Sequence, residues 1–321
     1  MTAGPRQGSP VVVVTGASSG IGLATAERFA RAGAHLVLGA RSSVSLAAAE
    51  ESCIEAGAAG VLVVEVDVVE ESAVEALRRA AVARFGRVDV WVHTSAVVAY
   101  GRFEDVPSAV FRRVLDTGVH GTVHVARTAL RQFRSQGRGT LVLTSSLLGE
   151  IATPYMSSYV TSKWAVRGLA RVLSIETRDA KDIHVCVVSP GAVDTPVYSQ
   201  AANYAGRVGR PPPPVDRPEK VARAIVRCAD HPRSRVTVGG ANRFVRFGFA
   251  SLPPVYDALV TPLMKVGGLS RRPVEPHEGN VFAPVPAGDG LSGGHRRQWL
   301  RWAGLGAAAA AVAVSAGARR S

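Results

Sequence analysis

A chain of 321 residues, 47% of them hydrophobic, can bury the core of one substantial domain and still carry an appendage. Its net charge of +13 would suit nucleic acid or anionic lipid, but the arginines are scattered through helical stretches without a basic cluster or an aromatic platform, which argues against nucleic-acid binding. Three dispersed cysteines, Cys53, Cys186 and Cys228, have no CxxC spacing; they argue against a disulfide framework or zinc site and, with no apolar leader segment, for a reducing, cytoplasmic setting.

The first predicted strand, 11–14, runs straight into TGASSGIG and then a helical stretch. There Gly16 permits a tight turn, Gly20 lets backbone amides approach a pyrophosphate, and Gly22 allows the helix to lie close on the sheet. The helix N-terminus offers unpaired amides and the positive end of its dipole to an anion. A second strand, 35–40, ends at Arg41 with no Asp or Glu nearby. A guanidinium there suits a 2′-phosphate, so the coenzyme expected is NADP(H) rather than NAD(H).

Further strands are predicted at 61–66, 88–93, 139–145, 184–189 and 235–238, alternating with helical stretches. This pattern predicts an α/β fold, a doubly wound seven-stranded parallel sheet covered on both faces. His120 and His124 stand one turn apart on a helix without a third ligand nearby, and no metal is assigned. After the strand-like TLVLTSS come Ser146, then Tyr159 and Lys163, the last two on one helix face. An ammonium one turn away favours the ionised phenol, so a tyrosine pKa drawn down from its free value of about 10 is expected, fit for general acid–base work.

The motifs TGASSGIG at 15–22, YVTSK at 159–163, Ser146, and SPGAVDT at 189–195, in that order and spacing, closely resemble the short-chain dehydrogenase/reductase family over residues 10–240. The resemblance implies a Rossmann fold in which Tyr159 is the catalytic acid or base, Ser146 orients the carbonyl and Lys163 bonds the nicotinamide ribose. It implies coenzyme contacts from Thr15, Gly16, Ser18, Ser19, Gly20, Ile21 and Gly22, from Asp67 and Val68 at the adenine end, and from Pro190, Gly191, Val193 and Thr195 at the nicotinamide. A homo-oligomer built on the helix of Tyr159 is implied as well. Two departures stand out: His93-Thr94-Ser95-Ala96 replaces the family's NNAG, and Gly118 stands where an asparagine would hold a relay water.

The domain is expected to span 1–240 and an extension 241–321. Residues 196–218 read as a mobile lid, and the apolar, proline-interrupted segment from Phe244 either extends the substrate pocket or lies on a membrane surface. Residues 279–294 read as linker, and Trp302–Ala318 as an Ala-rich helix that is either a weak membrane-peripheral anchor or a soluble end. The expected activity is interconversion of a small apolar ketone or aldehyde and its alcohol, suggested by Leu147, Leu148, Ile151, Tyr155, Met156 and Tyr198 beside the site. The rival readings are an NADPH-binding sensor or scaffold with little turnover and a membrane-peripheral interaction protein in which the C-terminal tail matters more than the site.

Overall fold

Val11–Thr15 is buried at every residue, a demand met by a central strand covered on both faces. The computed structural model describes residues 8–295. Its main sheet holds β1 (Val11–Thr15), β2 (His35–Ala40), β3 (Gly60–Glu65), β4 (Val90–His93), β5 (Gly139–Thr144), β6 (Ile183–Pro190) and β7 (Arg235–Val238). All pairings are parallel, in the order β7-β6-β5-β4-β1-β2-β3. The expected seven-stranded doubly wound sheet is therefore present, and its strand order reverses between β1 and β4, where such folds open a crevice at the carboxyl ends.

Side chains alternate across each strand, so neighbouring valines of β1 serve different cores. Val12 and Val14 pack with Phe29, Leu36 and Ile225 beneath α1 (Gly20–Ala30), α2 (Ser43–Glu55) and a later helix, α7. Val13 faces the other way, into Trp91, Phe133 and Leu141 beneath α3 (Glu71–Phe85), α5 (Gly121–Gln136) and α6 (Ser157–Glu176). Between α3 and α5 lies α4 (Ser108–Leu115), which a π-turn at Asp116–His120 joins to α5; α7 spans Pro218–Asp230.

Within residues 196–218, the expected lid, three short stretches are paired. Ala202–Asn203 pairs with Ala99–Tyr100, Arg207–Gly209 with Leu269–Pro273, and Val215–Asp216 with Ala192–Val193. These two- to five-residue pairings are too short to leave a readable period in the sequence.

Beyond the sheet, α8 (Asn242–Ser251) and α9 (Pro253–Leu263) fold back over the carboxyl ends of the strands. Asn242 anchors α8 by donating Nδ2 to the Val238 carbonyl at 2.9 Å. Arg246 of α8 and Arg235 of β7 both pair at 2.5 Å with Glu150, whose side chain is 2% exposed. Replacing Glu150 with Gln leaves two half-buried guanidinium groups without their counter-ion. A loss of about 1–3 kcal/mol is expected, read as a drop of several degrees in a thermal melt.

Residues 279–294 are not a linker. Asn280 N–H donates to the Gln200 carbonyl at 2.8 Å, Val281 is fully buried, Gln200 Nε2 donates to the Val285 carbonyl at 3.1 Å and to Asp289 at 2.8 Å, and Ser292 donates to Asp194 at 2.8 Å. Glycine here serves close approach: Gly279 has φ +52°, and a Cβ on it would run into the Gln200 carbonyl. The Trp302–Ala318 stretch lies outside the described residues. Among the described residues, no helix is long and apolar enough to cross a membrane.

Candidate active site

One cavity of about 830 Å³ lies over the carboxyl ends of the central strands. Its floor is the turn from β1 into α1, where Gly16 takes φ +82° and a Cβ on Gly22 would collide with the Gly16 carbonyl. Such a cradle brings backbone within reach of a diphosphate, and the first-turn amides of α1 have no intrahelical acceptors. Gly16, Ser18, Ser19, Gly20, Ile21 and Gly22 line it. Thr15 does not. Its hydroxyl is fully buried, donates to the Val92 carbonyl at 3.2 Å and lies 2.9 Å from His93 Nδ1, so it braces β1 against β4. A hydroxyl carries one proton, so the Thr15 oxygen accepts from Nδ1–H and His93 Nε2 is the bare nitrogen. That nitrogen is buried without a hydrogen-bond partner among the described residues, and burial, with Lys163 nearby, pushes the imidazole down to about 3.

At the end expected for the adenine, Arg41, Asp67 and Val68 line the cavity. Asp67 Oδ1 accepts from Val69 N–H at 3.1 Å and its other oxygen pairs with Arg113. Burial lowers the pKa of Arg41, and the Asp67 charge works against that shift. At the other end lie Pro190, Gly191, Val193 and Thr195.

Ser146 follows β5 and caps the short helical turn Leu147–Gly149, its Oγ accepting from Leu148 N–H at 3.1 Å. The same hydroxyl lies close enough to the Tyr159 phenol to favour its ionised form. Tyr159 and Lys163 stand one turn apart on α6, and the ammonium lies over the phenol ring, 5.4 Å from its centroid, while donating to the Thr144 carbonyl at 3.0 Å. The expected acidified phenol is not what this geometry gives. Burial pushes Tyr159 up to about 12, opposed by the nearby Ser146 hydroxyl, and burial pushes Lys163 down to about 8. The spacing places the amine over the ring rather than beside the hydroxyl, and desolvation outweighs a charge in that position.

Behind Lys163, Gly118 lies in the π-turn between α4 and α5. Its carbonyl accepts from the Thr122 hydroxyl at 2.7 Å, and Ser162 fills the space that a side chain at 118 would occupy, with its Cβ 2.8 Å from that position. His120 lies 3.0 Å from Asp116 and His124 lies 3.0 Å from the Val68 carbonyl, so the two histidines face different partners.

On the substrate side Leu147, Leu148, Ile151, Met156 and Tyr198 line the cavity. Tyr155 does not; it takes φ +70°, packs among Val98, Tyr100 and Met156, and accepts from Gly101 N–H at 3.0 Å. In the segment from Phe244, Val245, Leu252, Tyr256, Leu259, Leu263 and Met264 form an apolar wall of the cavity, while Phe244 and Phe247 stay exposed on its outside. Sequence reasoning passed over Thr94 and Ser95, and also Asn280, Pro284, Val285 and Asp289, which line the cavity from the far side. Their only signal is a Gly- and Pro-rich composition that reads equally as linker.

The family model for short chain dehydrogenases matches residues 10–204. The chain is 32% identical over 295 residues to the uncharacterized oxidoreductase YxnA of Bacillus subtilis, a match covering 91% of this chain and 82% of that protein. It is also 32% identical over 248 residues to 3beta-hydroxysteroid dehydrogenase 1 of Eggerthella lenta, covering 75% and 94% of the two chains. Among solved structures, an alcohol dehydrogenase from Thermococcus sibiricus complexed with 5-hydroxy-NADP superposes with a TM-score of 0.62 at 30% identity, covering 72% of this chain and 96% of that one.

Proposed function

Because this chain belongs to the short-chain dehydrogenase family, we propose that it is an NADP(H)-dependent oxidoreductase interconverting an apolar ketone or aldehyde and its alcohol. The observation that carries the reading is the meeting of Ser146, Tyr159 and Lys163 with the glycine cradle on one cavity. The cradle, the α1 amides and Arg41 suit the diphosphate and the 2′-phosphate of the coenzyme, and Lys163 would hold the nicotinamide ribose. When bound, the nicotinamide supplies the hydride for reduction or takes it up in oxidation.

In reduction, the Tyr159 hydroxyl gives its proton to the carbonyl oxygen, and Ser146 Oγ holds that oxygen in line with the phenol. Hydride on carbon and proton on oxygen together complete the alcohol. Lys163 stabilises the tyrosinate left behind, which the buried site otherwise opposes. The apolar wall from α8 and α9 excludes water and fits a hydrophobic substrate of some length. A hydroxysteroid dehydrogenase among the relatives points to the same class.

A pH dependence follows from Lys163. Its ammonium loses charge as pH rises through about 8, whereas the Tyr159 phenol keeps its proton to about 12. Reduction is therefore expected to be flat below about pH 8 and to fall roughly tenfold per unit above it, with Tyr159 still protonated there. Initial rates from pH 6 to 10 check this, and the inflexion should vanish in Lys163→Met.

Gly118 favours a second reading, a coenzyme-binding protein with little turnover, because it offers no side chain to a relay water and its carbonyl is already engaged by Thr122. Purified protein with NADPH and a panel of lipophilic ketones separates the two: coenzyme consumption that is lost in Tyr159→Phe supports the oxidoreductase. Tight NADPH binding without consumption across that panel supports the sensor. A homo-oligomer built on α6 fits Trp164, Val172 and Ile175, apolar yet exposed along that helix, and a sedimentation mass above 33.6 kDa would bear it out.

A further inference from the structure

We propose that residues 277–294 form a coenzyme clasp, an outer wall of the dinucleotide site that holds Arg41 in place and must open for the coenzyme to enter or leave. The inference rests on the coenzyme reading given above. Two groups assigned to the dinucleotide's phosphates are touched by this segment. Arg41 donates Nη1 to the Val281 carbonyl at 3.1 Å and Nη2 to the Asn280 carbonyl at 2.6 Å, and Gly20 N–H donates to the Gly290 carbonyl at 2.8 Å. The segment thus reaches across the crevice from the end of β2 to the start of α1.

The segment does not fill the crevice. Asn280, Pro284, Val285 and Asp289 face the same cavity of about 830 Å³ as the glycine cradle and Lys163, a space that continues under α8 and α9. It is also fastened at intervals. Asn280 is bonded to Gln200 through both its backbone amide and its side chain, at 2.8 and 3.1 Å. Gln200 reaches on to Val285 and Asp289, and Asp194 accepts from Ser292 and from His295 N–H, at 2.8 and 3.0 Å. Both Gln200 and Asp194 belong to the chain flanking the nicotinamide end, so the wall is anchored at one end of the dinucleotide site and grips Arg41 at the other.

Two consequences follow. A guanidinium held by two carbonyls enters binding with its long side chain already ordered, which favours a phosphate over a bare ribose hydroxyl at that position. A wall closed over the coenzyme slows its release more than it alters its contacts.

The test uses the full chain and two variants away from the catalytic groups. Gly279→Val forces a side chain into the Gln200 carbonyl, and the double variant Asp289→Ala, Ser292→Ala removes two fastenings. NADPH dissociation is followed by stopped-flow fluorescence, and hydrogen exchange of the Gly20 and Asn280 amides is measured with and without NADPH. Expected are a rise of about tenfold or more in the dissociation rate of both variants and greater protection of the two amides when NADPH is bound to the unaltered chain. NADPH binding with unchanged dissociation in both variants overturns the clasp and leaves the coenzyme reading standing. So does loss of amide protection on binding, which would make the segment a plug. If neither NADPH nor NADH binds to any of the proteins, the coenzyme reading itself falls, and the clasp with it.

Discussion

Replacing Tyr159 with phenylalanine is expected to lower kcat for carbonyl reduction by about 10³-fold while NADPH still binds with its original affinity. The substitution removes one oxygen from a partly buried ring that is carried by α6 and overlain by the Lys163 ammonium. The ring's packing survives, so the fold and the coenzyme site should persist. What is lost is the proton donor. Steady-state rates together with a fluorescence titration of NADPH separate the two effects. A variant that retains a tenth or more of the activity would mean that another group supplies the proton.

Arg41→Ala should shift coenzyme choice, by a smaller factor. A hydrogen bond to a charged group contributes about 1.5–3 kcal/mol, which corresponds to a loss of roughly ten- to hundredfold in NADPH affinity. NADH has no 2′-phosphate to lose, so the ratio of the two dissociation constants is the diagnostic quantity; weakening common to both would reflect the clasp that the same guanidinium anchors. An unchanged ratio by calorimetry would remove Arg41 from coenzyme discrimination.

The sheet was legible because buried parallel strands such as Val11–Thr15 need continuous apolar runs, and their bounds fell within two residues of those read from the chain. The glycine turn and the Ser146, Tyr159, Lys163 set were legible for a different reason: each of these roles accepts very few side chains at fixed spacing. The clasp escaped notice because glycine and proline carry opposite meanings in the two states they serve. In a linker they loosen the chain or extend it, and at Gly279 they let backbone pass close to backbone. The direction of the tyrosine shift also escaped, since i, i+4 spacing brings Lys163 near Tyr159 without fixing whether the ammonium meets the hydroxyl or the ring face. Thr15 looked like part of the coenzyme loop because it adjoins Gly16, yet strand alternation turns it inward to His93.

The fit of Ser162 against Gly118 limits what position 118 can become. With the serine Cβ 2.8 Å and its hydroxyl 2.9 Å from where a side chain at 118 would begin, any larger residue there needs Ser162 or the π-turn that carries Gly118 to give way. The two positions are therefore coupled, and a change at 118 is read out one residue from Lys163.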